Sequence, residues 1–266
     1  MAFELASRRT CPGLSVFVLV TWVTSAALTV GWCSSMSEMG GMPMPGGWTM
    51  SMTWMRMPGQ SWPGAAASFL GMWLVMMVAM MLPSLGPMLV RYQRAVAATA
   101  EGRVALLTCV VGLGYFFVWL LFGLAAFPLG AALAQIEMRA AAIARAVPIA
   151  VGVVVLIVGA LQFTAWKARY LACCRGEHNH SQPPEPAVGA AWRNGLRLGV
   201  ECCYCCGSLM VLLLVGGVMD IGAMSVVTLA VTIERLAPDG ERVARGIGLA
   251  VVGVGLLLIA RAAGPG

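Results

Sequence analysis

Residues 65–90 read AAASFLGMWLVMMVAMMLPSLGPMLV, and this run decides the fold class. It carries no charged side chain over more than the roughly 20 residues a membrane-crossing helix needs. Pro83 and Pro87 fall near its far end and are expected to kink it. Met72, Met76 and Met80 recur every four residues and so stack on one helix face, with Met77 and Met81 on the adjacent stripe. Two thioethers one turn apart are close enough to share a soft cation such as Cu(I). A core-packing stripe of methionines has the same spacing.

Upstream, Met36–Met57 reads MSEMGGMPMPGGWTMSMTWMRM, with eight methionines of the chain's 19. The Gly, Pro and Ser between them neither pack a core nor build a long helix. The stretch therefore reads as a flexible array of neutral sulfur donors, with Met42, Met44, Met50, Met52, Met55 and Met57 as candidate ligands. Thioethers have no proton to lose, so they bind soft metal over a wide pH range. A greasy loop that lies on a membrane or grips a partner is the alternative.

The rest of the chain agrees with the opening run. It is 60% hydrophobic and 11% charged, with a mean hydropathy of +0.85, whereas soluble domains are about 25% charged. The fold class expected is an all-α membrane protein, a bundle of about six transmembrane helices forming one integral domain over 1–266. The spans fall at 14–32, 65–90, 104–127, 147–166, within 205–233, and at 246–259. The run 205–233 is longer than one span requires, and Gly216, Gly217 and Gly222 allow a break near Asp220. Residues 34–64 form an external Met-rich loop and 167–198 a cytoplasmic connector.

Orientation follows from positive charge. With both termini cytoplasmic, the inner Lys/Arg are 8, 9, 91, 94, 103, 167, 169, 175, 193, 197 and 261, against 56, 139, 145, 235, 242 and 245 outside. The excess places the protein as a multi-pass component of a bacterial inner membrane. The net charge of +6 reads as topology and contact with the lipid bilayer, since no nucleic-acid motif accompanies it. The first span could be a signal peptide, but its apolar part is too long and no clear cleavage site follows.

Nine cysteines, most in two tight clusters, argue for a metal or redox site over a disulfide framework. Within Glu201-Cys202-Cys203-Tyr204-Cys205-Cys206, the residues Cys202, Cys205 and Cys206 share a helix face and Cys203 points away. The cluster supports soft-metal thiolates or a dithiol redox centre; a reducing compartment favours metal. Cys173 and Cys174 precede His178 and His180, a donor set for zinc or a mixed copper site. Asp220 is a candidate because a carboxylate inside a span marks a pathway or proton site by default.

Several stretches resemble a known family. They are GGMPMPGGWTMSMTWMRMPGQSW and FLGMWLVMMVAMMLPSLGPML, then Gln162-x-Thr164-x-x-Lys167 leading to Cys174-Arg175. Cys202-x-x-Cys205-Cys206-x-x-Leu209-Met210 and Glu234-Arg235-Leu236-x-Pro238-x-Gly240 follow. Over about residues 10–260 the chain resembles the predicted metal-binding integral membrane proteins that carry a domain of unknown function. Tyr170 stands where that pattern has another cysteine, Gly207 where it has a large aromatic, and Cys203 is additional. The resemblance implies membership and little of mechanism.

These readings converge on a soft-metal protein that captures, transfers or delivers Cu(I), with a copper-dependent enzyme or chaperone as partner. A membrane thiol oxidoreductase working through Cys202–Cys206 is the enzymatic alternative. An assembly subunit that docks a partner through the Met-rich loop is the third. The sequence has no nucleotide-binding motif and no phosphorylated-Asp signature, which argues against primary active transport by this chain alone.

Overall fold

The computed structural model describes residues 12–38, 40–56, 59–100, 102–175 and 185–263. Among them are eight α-helices: α1 (Pro12–Glu38), α2 (Trp62–Val96), α3 (Val104–Arg139), α4 (Ala141–Leu161), α5 (Ala165–Arg175), α6 (Val188–Gly216), α7 (Ile221–Leu236) and α8 (Gly240–Ala263). A small hairpin, β1 (Met42–Met44) and β2 (Trp48–Met50), stands between α1 and α2. Six helices, all but α5 and α7, are long and apolar enough to cross a membrane.

Local chemistry sets the boundaries. Ser61 caps α2 by accepting from the Gly64 N–H, and Pro63 sits in its first turn, where a missing N–H costs nothing. Pro83 and Pro87 remain inside that helix, which continues to Val96. The long run 205–233 does break. Helix α6 ends at Gly216, Gly217 takes φ +118°, and Asp220 restarts the chain by accepting from the Ala223 N–H at 2.8 Å. That φ belongs to glycine's allowed space.

Apart from the short α5, successive helices alternate in direction. Trp22 donates to the Ala79 carbonyl at 3.0 Å, tying α1 antiparallel to α2. Phe69 meets Phe127 with the two rings tilted, and Trp73 donates to the Trp119 carbonyl, setting α2 against α3. The tightest contacts rest on glycine. A Cβ on Gly114, Gly195 or Gly199 would run into the backbone of the facing helix across the parallel α3/α6 pair. A Cβ on Gly152 or Gly159 of α4 would first meet the side chain of Ile259 or Val252 on α8. Small residues let helix backbones approach where burial of water-exposed surface cannot drive association.

The break changes the topology from the one expected. Residues 205–233 are not one crossing: α7 turns back along α6, and α8 then runs antiparallel to α4. The described end of α8 therefore lies at the hairpin end of the bundle, and α1 starts at the opposite end. The charge pattern sharpens as a result. Arg91, Arg94, Arg103, Arg193, Arg197, Arg242 and Arg245 lie towards the end opposite the hairpin. Arg56, Arg139, Arg145 and Arg261 lie towards the hairpin end.

Replacing Gly195 by Ala should destabilise the detergent-purified chain by about 1–3 kcal/mol, the usual cost of overpacking. Its new Cβ would overlap the Val111 carbonyl, which cannot swing away as a side chain can. Gly253→Ala meets nothing within 4 Å and should be neutral or slightly stabilising. Thermal unfolding of the two variants side by side checks this.

Candidate metal centre

Helix α6 presents Cys202, Cys205 and Cys206 to the interior, all fully buried, with Cys203 only half-buried. The i, i+3, i+4 spacing produces this face. The Cys202 and Cys206 sulfurs stand 3.8 Å apart. Cys205 neighbours the thiol of Cys174 on α5, so the four cysteines form two adjoining pairs. All of them are free thiols.

Four other helices complete the surroundings. From α3, Tyr115 donates its O–H to the Cys202 sulfur at 2.9 Å. From α7, the Arg235 guanidinium donates to Cys202 Sγ at 3.4 Å and to Ser84 Oγ at 2.9 Å. Its second arm reaches Met88 Sδ at 2.9 Å. From α5, the buried Lys167 ammonium donates at 2.7 Å both to the Cys205 carbonyl and to Glu234 of α7. Lys167 and Glu234 neutralise each other. Arg235 is buried with no carboxylate in ion-pair range among the described residues, and its Nε has no partner there.

This arrangement suits charge on sulfur. A metal-bound thiolate only accepts hydrogen bonds, and Cys202 has a phenol and a guanidinium aimed at it. Two ligands of one tetrahedral metal, each about 2.3 Å from it, stand about 3.8 Å apart, which the Cys202–Cys206 separation meets. Among the described residues no three His, Cys, Asp or Glu side chains gather as a metal cage. Any site here therefore uses a thiol pair or draws on thioethers.

The thioethers are distributed along the same core. Met76, Met77, Met80 and Met81 are fully buried in the cluster that contains the cysteines, and Met72 is half-buried at its edge. The expected flexible loop is instead folded. Met42 pairs with Met50 across the two strands and Met44 with Trp48. Met44 and Met50 are buried against Ala134 and Ala144, with Met42 and Met55 packed beside them. Met52 lies in a single 3-10 turn and is half-buried. Trp48 holds the hairpin by donating to the Ala144 carbonyl at 2.9 Å. Met57, His178 and His180 lie outside the described residues. Asp220 is exposed and serves as the N-cap of α7.

Sequence reasoning placed Lys167, Glu234 and Arg235 in polar connectors and passed over Tyr115 and Ser84. The signal for Glu234 and Arg235 was available. They continue the helical repeat of the apolar run before them, so they can turn inward on α7 while remaining adjacent in sequence. The connector 167–198 is likewise partly interior, since Lys167, Leu171, Cys174 and Ala191 are buried.

The family model PpoB2, copper chaperone, matches residues 70–258. The chain belongs to this copper chaperone family. The match takes in the α2 methionines, both cysteine pairs and the buried charges, and begins after the hairpin. No curated protein and no solved structure matches the chain. Membership in the PpoB2 family supports copper handling and fits the soft donors gathered here.

Breaking the internal ion pair gives a direct check on this centre. Lys167→Met would strand Glu234, a loss of about 3–5 kcal/mol for a buried pair cut on one side. The double variant Lys167→Met/Glu234→Leu should recover most of that stability in the same unfolding assay, because neither charge is then left alone.

Proposed function

We propose that this member of the copper chaperone family is a multi-pass inner-membrane protein that takes up Cu(I) at its methionine hairpin and holds it at Cys202 and Cys206 for delivery. The observation that carries the reading is the thiol pair beneath Arg235. Two thiolates around Cu(I) leave a net charge of −1, and an unpaired guanidinium offsets it where a lone charge would be costly. The family match supports the metal. The softness of the donors supports the oxidation state.

The route follows the order of the sulfurs. At the hairpin, Met42 and Met50 face each other across the strands. Along α2 the methionines from Met72 to Met88 span about 24 Å at 1.5 Å per residue. Met88 ends beside Arg235, which itself touches Cys202. Weak, neutral thioethers at one end and thiolates at the other favour movement towards the thiols. The large apolar side chains on outward faces, such as Leu113, Val226 and Leu249, support a lipid environment. The charge asymmetry between the two ends supports the hairpin outside and α1 starting in the cytoplasm. A copper-dependent enzyme or a second chaperone would receive the ion.

Replacing both Cys202 and Cys206 with Ser should lower the affinity for Cu(I) at least tenfold, measured by competition with a coloured chelator. The affinity lost should be the part that rises with pH, because a thiol must give up its proton to bind metal. Unchanged binding, with loss instead of a dithiol–disulfide couple, would turn the reading to the oxidoreductase.

The hairpin has its own test. Leucine at 42, 44, 50, 52, 55 and 57 keeps volume and removes sulfur, so cells carrying that variant should lose copper response at limiting copper and regain it when copper is abundant. Full response at limiting copper would leave the hairpin as a docking surface.

A further inference from the structure

Helix α1 has a different inward face from the rest of the bundle. Its large side chains, among them Val16, Val20 and Val30, are exposed, while Ser25, Thr29 and Cys33 are buried at a spacing of four residues. Ser25 and Thr29 satisfy themselves by donating to carbonyls one turn back. Cys33 turns its thiol to two thioethers instead: Met219 Sδ at 3.7 Å and Met224 Sδ at 3.8 Å. The break between α6 and α7 makes this possible. Met219 lies inside the turn and Met224 on the first turn of α7, so the reversal at Gly217 aims both sulfurs at one point.

We infer that Cys33, Met219 and Met224 form a second Cu(I) site, one thiolate and two thioethers, at the hairpin end of the bundle. Both separations match the roughly 3.8 Å expected between sulfurs that share a metal. Charge agrees as well. One thiolate and Cu(I) sum to zero, so the complex carries no net charge into the interior. The Cys202 pair, with its surplus negative charge, has Arg235.

Position gives the site its role. Trp22 is level with Ala79 of α2, and Cys33 lies eleven residues further along α1, about 16 Å nearer the hairpin end by helix rise. That depth falls before Met72. Cys33 and Met224 belong to the same buried cluster as Met76, Met77 and the interior cysteines. The three sulfurs thus stand between the hairpin and the α2 methionines, as an acceptor stronger than thioethers alone. This role rests on the proposed copper reading; the site itself does not depend on the Cys202 pair.

Sulfurs in plain van der Waals contact stand at a similar separation, so binding must be measured. The full chain lacking Cys202 and Cys206 as thiols (both Ser) is titrated in detergent with Cu(I) under reducing conditions, against a chelator. About one strongly held Cu(I) per chain should remain, by the ligand-softness argument. Adding Cys33→Ser, or the volume-conserving pair Met219→Leu and Met224→Leu, should abolish it. Copper X-ray absorption on the retained ion should show sulfur neighbours only. Retention unaffected by either change, or no strong retention in the doubly substituted chain, would overturn the site. Failure of the Cys202 reading shows separately, as equal binding by the parent and the Cys202/Cys206 variant.

Discussion

A guanidinium with sulfur and hydroxyl partners, and no carboxylate among the described residues, is the constraint on which the interior depends. Glu234 and Arg235 are adjacent on α7, so their side chains diverge by about 100° around the helix. One meets Lys167 of α5; the other meets Ser84, Met88 and Cys202 from α2 and α6. One pair of residues therefore ties α7 to three neighbours at a single depth. Burying three charges is costly unless each is matched, and two of them match each other. On the proposed function, the third would be matched by the negative charge of metal-bound thiolates beside it.

The chain reversal after α6 serves that constraint. Had residues 205–233 run on as one helix, Arg235 would emerge at the end of the bundle far from Cys202. Gly217 adopts a left-handed conformation at the turn, and Asp220 supplies the cap that lets α7 start at once. The same turn positions Met219 and Met224 beside Cys33. One local event thus organises both sulfur clusters, one at each end of α7.

Thioethers and thiols are not spread evenly through the molecule. Methionines predominate at the hairpin end and along α2, and the paired thiols lie deeper, beside fixed hydrogen-bond donors. A thioether binds without releasing a proton, whereas a thiol must release one. On the proposed route, binding is therefore pH-dependent at Cys33 and at the Cys202–Cys206 pair, and pH-independent where thioethers act alone. The glycine contacts of α3 with α6 hold this arrangement rigidly, because backbone pressed on backbone has no rotamer to yield.

The sequence by itself determined the helical class, five of the six long apolar helices to within a few turns, and the inward face of Cys202, Cys205 and Cys206. These are periodic properties: hydropathy and the 3.6-residue repeat are local, so they can be read without knowing what lies opposite. The methionine stripe on α2 was legible for the same reason. What only the tertiary structure decided is which residues from different helices meet. The hairpin folds because Ala134 and Ala144 offer it a surface, which Gly and Pro content concealed. Lys167, Glu234 and Arg235 look like connector charges until α5 and α7 fold back against α6. Cys33 and Met224 are 191 residues apart. Their meeting requires the reversal at Gly217 and the register fixed by Trp22, and neither leaves a periodic trace in the chain.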